Sequence, residues 1–172
     1  LGRWPWSRDI HAKLIDKLAE AKTKTIVYTA FFTEPQVDSG LVFIRKMKAA
    51  LGSTAEPTET NDQLNRLIAE AETALDTDAI LASSIKNAGN VLLPSVFTLG
   101  EPQGKPDNAL PGFALKSAVD DPNNFSLAAV RAQEPIESLG SVAAGVGHLN
   151  QFQDVDGAVR KEPLLVNYYG KA

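Results

Sequence analysis

Two runs of the chain, TIVYTAFF at 25–32 and NVLLPSVF at 90–97, are apolar almost without a break and rich in β-branched and aromatic residues. Neither is long enough to cross a membrane, and neither shows the strict polar alternation of a strand with one wet face. Both therefore fit strands covered on both sides, as in a parallel or mixed sheet. The residues between them have helical periodicity, and strands separated by helices need crossover connections. The expectation is an α/β fold: a layered mixed sheet flanked by helices.

Around these runs, Ser7 is placed to cap a helix over 8–22, with Ile10, Leu14, Leu18 and Ala21 on one face. Residues 41–51 are in helical register through Leu41, Ile44, Lys48 and Leu51, and the polar linker GSTAEPTETN follows. Residues 61–88 read as two helices broken near LDTD, where Asp76 or Thr77 caps the second and Gly89 stops it. The loop GEPQGKPDNALPG holds three prolines and three glycines. Helices are then expected at 125–132 and 136–143. A C-terminal β-hairpin should close on QDVDG, with Gly157 at the position needing positive φ.

A chain of 172 residues with 44% hydrophobic and 22% charged residues can bury one core unaided. It reads as a single domain over residues 1–172. The net charge of −4 argues against a nucleic-acid surface, which needs a basic stripe. The absence of cysteine excludes thiolate catalysis, zinc ribbons and disulfide scaffolds. With only two histidines, a transition-metal site is not expected, and no cofactor is implied.

Catalytic motifs fail on inspection. GEPQGKP has its glycines too close together for a phosphate loop, and Pro106 replaces the magnesium-binding hydroxyl. GVGHLN offers two glycines of a dinucleotide fingerprint but leads into a turn, not a helix. Asp154 and Asp156 are explained by turn chemistry, since the following residues do not supply the ligands of a calcium loop. His11 reads as a helix-edge packing residue. His148 and Asn150 share one face of a strand by alternation, and either line a pocket or hold a neighbouring loop.

The opening GRWPWSRDIH concentrates both tryptophans of the chain around Pro5, with Arg3 and Arg8 beside them. Trp6 falls where it can staple onto the first helical turn, while Trp4 is expected to point elsewhere. Either arginine could lie over an indole face. The stretch is thus a helix-entry clamp, or an aromatic and cationic wall for a ligand.

The series GRWPWSRDIHAKLIDKLAEA, FFTEP, GNVLLP and VGHLNQFQDVDGAVRKEPLL resembles the CHASE sensory domains of the second type, the cyclase/histidine-kinase-associated extracellular sensory modules. Its most specific parts are the WPW opening, with Trp4, Pro5 and Arg8, and the ending built on Asp154, Asp156, Gly157 and Arg160. Thr29 stands where the family commonly has an aspartate, and region 41–76 is longer than usual, implying an insertion. The family usually adds a strand before GRWPW and a helix after the final strand, so this sheet is expected to lack an edge partner.

The resemblance implies an extracytoplasmic (periplasmic) input domain of a bacterial receptor, tethered through flanking membrane segments and working as a homodimer. Its output would be a nucleotide cyclase, histidine kinase, Ser/Thr kinase or diguanylate cyclase. A small-molecule ligand is expected near the strand ends, at Arg3, Trp6, Glu34, His148 and Asn150, with no catalysis of its own. Two other readings stay open: a dimerisation module without a small ligand, and a hydrolase using Asp154, Asp156 and His148.

Overall fold

The computed structural model describes residues 4–52 and 59–172. In chain order the elements are α1 (Arg8–Glu20), β1 (Ile26–Val27), α2 (Ser39–Gly52), α3 (Glu59–Leu75), α4 (Thr77–Ala88), β2 (Val91–Leu99), α5 (Gly112–Leu115), β3 (Leu127–Gln133), α6 (Glu137–Gly140), β4 (Gly145–His148) and β5 (Val166–Tyr168). This is the α/β arrangement expected, with a mixed sheet organised around β2.

The two halves of β2 have different neighbours. Its first half is parallel to β1 (Ile26 opposite Val91) and to β4 (Leu92 opposite Gly145, Ser95 opposite His148). The Leu92 carbonyl accepts from Tyr28 N–H, whereas the Val91 and Ser95 carbonyls accept from Ala144 and Leu149. Since successive carbonyls of a strand point to opposite edges, β1 and β4 flank β2 on opposite sides. The second half is antiparallel to β3 (Val96 opposite Gln133), and β3 is parallel to β5 (Leu127 opposite Val166).

Helices α1 and α4 pack on the parallel half, where Ile15, Leu81, Ile85, Val91, Leu93 and Leu139 form the main core. A smaller cluster of Ala129, Val166 and Tyr168, with Phe97 and Leu99 against it, serves the antiparallel half. The break between α3 and α4 falls at Asp76, whose side chain accepts from Ala79 N–H. Gly89, at φ 68°, ends α4 in the left-handed conformation.

Several expectations are corrected. The buried face of α1 is Arg8, His11, Ala12 and Ile15, and Leu14 is 47% exposed. Periodicity of apolar residues misplaces this face because Arg8 and His11 find polar partners inside. Val27 is 63% exposed while Ile26 and Tyr28 are buried, so β1 is covered on one side only. Residues 127–133 form strand β3, not a helix: pairing with β2 and β5 overrides the helical propensity of an alanine-rich segment.

At the C-terminal turn, Gly157 takes φ 79° and donates its N–H to the Asp154 carbonyl, and the Phe152–Lys161 bridge is antiparallel. The strands expected to continue this hairpin pair elsewhere, with β4 on β2 and β5 on β3. The expected insertion holds a helical pair, α2 and α3, held by ion pairs from Arg45 to Glu72 and Asp76 and from Lys48 to Glu72.

Candidate functional site

The described residues expected to bind a ligand fall into two separate places. At the start of the chain, Trp4 and Trp6 meet edge to face at 5.6 Å between ring centres, and both rings reach His11, at 5.6 and 6.2 Å. Trp4 therefore points the same way as Trp6, contrary to expectation, because both close over one buried imidazole. His11 Nδ1 is 2.5 Å from the Tyr28 hydroxyl, and the ring also hydrogen-bonds the Trp6 backbone. A ring nitrogen that donates to that carbonyl leaves Nδ1 to accept from Tyr28. Burial, then the neighbouring Arg8 charge, holds the His11 pKa below its usual value, while burial raises that of Tyr28.

Arg8 sits beneath this cluster. Its Nε lies 2.5 Å from Asp78 Oδ1, an ion pair without hydrogen-bond alignment, and its Nη2 donates to the Glu34 carbonyl. The guanidinium stacks 4.6 Å over the Phe32 ring, not over an indole. Asp78 Oδ2 in turn accepts from Gln36 N–H. These groups are engaged with one another, so the opening hook closes α1 onto α4 and the segment after β1. The Glu34 side chain is exposed, with its backbone as the tie. Arg3 lies outside the described residues.

The second place has the chemistry of a binding site. A cavity of about 280 Å³ opens between β2, β4, α5 and the segment entering β5. Its walls are largely apolar, from Phe97, Leu110, Val146, Leu165 and Val166. Across them runs a polar row. Ser95 on β2 lies opposite His148 on β4. Glu134, one step beyond the Val96–Gln133 pair, lies opposite Ser95 from the other side. Directly opposed residues put their side chains on the same face, and all three line the cavity.

Each member of the row is held in a different way. His148 Nδ1 accepts from Asn150 N–H at 3.3 Å, and its ring stands edge-on to Phe97. Ser95 is almost completely buried. Glu134 precedes Pro135, which favours an extended backbone there and removes a ladder donor after it. Its Oε2 is buried and receives no hydrogen bond, and burial pushes the carboxyl up to about 7. Ser117 Oγ accepts from Val146 N–H, fastening the end of α5 to β4.

Asn150 holds a neighbouring segment, one of the two roles open to it from the sequence. Its side-chain amide accepts from Phe97 N–H at 3.0 Å and donates to the Phe97 carbonyl at 2.6 Å, so it stands in for one more strand residue beyond β4. None of the described cavities is lined by both Trp6 or Glu34 and His148. Asp154, Asp156 and Arg160 form an exposed ion-pair cluster that braces the Gly157 turn. Sequence reasoning missed Glu134 and Ser95. Ser95 was findable as the one hydroxyl within NVLLPSVF, whereas Glu134 was obscured by reading β3 as a helix.

Among the described residues, no group of three or more His, Asp or Glu side chains could hold a metal, and no helix is long and apolar enough to cross a membrane. Fold and cavity together define an α/β domain with a small, polar-striped apolar pocket. The CHASE2 domain model matches residues 1–171, so the chain belongs to the CHASE2 family and is a sensory domain. No curated protein and no solved structure matches it.

Proposed function

We propose that this chain is the extracytoplasmic, ligand-sensing input domain of a bacterial membrane receptor. It acts as one unit over residues 1–172, without turnover or cofactor of its own. Flanking membrane segments tether it, and the output is a nucleotide cyclase, a histidine or Ser/Thr kinase, or a diguanylate cyclase. Membership of a sensory family supports the input role. The observation that carries ligand binding is the Glu134–Ser95–His148 row set into the apolar cavity.

A ligand seated there touches Val166, Lys171 and Ala172 as well as β2 and β4, so occupancy biases the path of the chain leading out of β5. The signal is a population shift, set by the difference in affinity for two arrangements. Moving from 1:99 to 99:1 takes about 5.5 kcal/mol. A thermal-shift screen of small metabolites tests this: hits raise Tm by mass action, by about 2.7 kcal/mol of stability at a hundredfold excess over Kd. Silence across a broad library refutes ligand sensing.

A second reading, a dimerisation module without a small ligand, is favoured by the α2–α3 pair. Phe43 and Leu67 on its outer surface are 63% and 62% exposed, with Met47 nearby in sequence. Helix α2 carries Arg45, Lys46 and Lys48 and no acid, while α3 carries Glu59, Asp62, Glu70 and Glu72 against a single Arg66. Two copies related by a two-fold axis would cover these exposed apolar side chains, while Arg45, Lys48 and Glu72 stay in their ion pairs within each chain.

A further inference from the structure

Resting on the ligand-sensing reading, we infer that the cavity beside β4 selects a small organic ammonium with an apolar body, its nitrogen seated on the Glu134 carboxylate. Three observations point the same way. Glu134 lines the cavity and its Oε2 is buried without a donor. It forms no ion pair among the described residues, so no protein cation neutralises it. The remaining walls are mostly aliphatic and aromatic, with Ser95 as the nearest hydroxyl in the row.

A buried carboxylate without donors is costly, and an occupant that brings both a positive charge and N–H groups removes that cost. An alcohol supplies a donor but no charge, and a carboxylate adds a second negative charge to a desolvated site. A cavity of about 280 Å³ lies at the small end of ligand pockets, so the body must be short. Once an ammonium is seated, the carboxyl ionises, because the opposite charge favours the form that burial disfavours. Binding therefore releases the proton Glu134 holds when the cavity carries no cation.

The titratable and charged groups lining the cavity are Glu134 from the end of β3, His148 from β4 and Lys171 after β5. Between about pH 8 and about pH 6, Glu134 gains a proton, because burial holds its carboxyl at about 7. That change opposes an ammonium, and the Glu134→Gln variant isolates it.

The test is calorimetric titration and thermal shift of the full chain with butylammonium, 1-butanol and butyrate at about pH 8. Butylammonium should bind at least about tenfold more tightly than the other two. The isosteric Glu134→Gln, checked for native circular dichroism, should erase that preference. In the unmodified protein, amine affinity should weaken as pH falls to about 6, and Glu134→Gln should remove that weakening. Butyrate or butanol binding as well as the amine, or amine affinity indifferent to Glu134→Gln, overturns the inference. A broad library run alongside tells the two readings apart. Hits outside the cationic class with none inside it sink the ammonium inference and leave sensing intact. No hit of any kind sinks both.

Discussion

At the scale of single residues, two buried titratable groups act on stability in opposite senses. The Glu134 carboxyl is raised by burial from 4.5 to about 7. In the unfolded chain it has already ionised in that interval, so the folded state holds the extra proton and stability falls as pH rises from 4.5 to 7. His11 is lowered by burial, so the unfolded chain takes up its proton first, and stability falls as pH drops below its ordinary value. Glu134→Gln should therefore raise stability at about pH 8 by roughly 1–2 kcal/mol, allowing for solvent screening of a partly buried carboxyl. At about pH 4 the gain should vanish. Urea unfolding at the two pH values measures the difference. The burial of His11 and of Arg8 was not legible in the sequence. His11 depends on Tyr28, 17 positions away, and Arg8 on Asp78 at the head of α4. Local periodicity contains no information about such partners.

At the scale of elements, legibility follows how local the cause is. The α3–α4 break was readable because Asp76 caps its own helix and Gly89 ends it, both within a turn. Strand β3 was not, because LAAVRAQ has helical propensity and becomes a strand only by lying between β2 and β5. The terminal turn was readable from Gly157 and the aspartates, but its flanking strands were not. Each finds a longer partner than the other could offer. The seating of α5 depends on an equally non-local contact. A Cβ added at Gly140 in α6 would lie 2.4 Å from Phe113 Cε2, far inside contact distance. Gly140→Ala should push the Phe113 ring out and disturb the α5 wall of the cavity, destabilising by about 1–3 kcal/mol. A thermal melt reads that loss, and a variant as stable as the parent would mean that the ring has room to move.

At the scale of the whole molecule, the mixed α/β layering was legible because two apolar runs with helices between them admit few arrangements. The helical character of the α2–α3 region was legible, though not the exposure of Phe43 and Leu67. If those side chains join two copies, Phe43→Glu with Leu67→Glu should shift the chain to monomer in sedimentation analysis. Thermal stability at high dilution should be nearly unchanged, within about 0.5 kcal/mol for surface positions. A chain that is already monomeric at high concentration removes the dimer reading.

Strand β2 exchanges parallel neighbours for an antiparallel one between Ser95 and Val96. Ser95 thus lines the cavity at the residue where the sheet changes from parallel to antiparallel pairing. One residue therefore joins the seam of the sheet to the wall of the pocket, so that under the proposed sensing role an occupant meets both kinds of pairing at a single point.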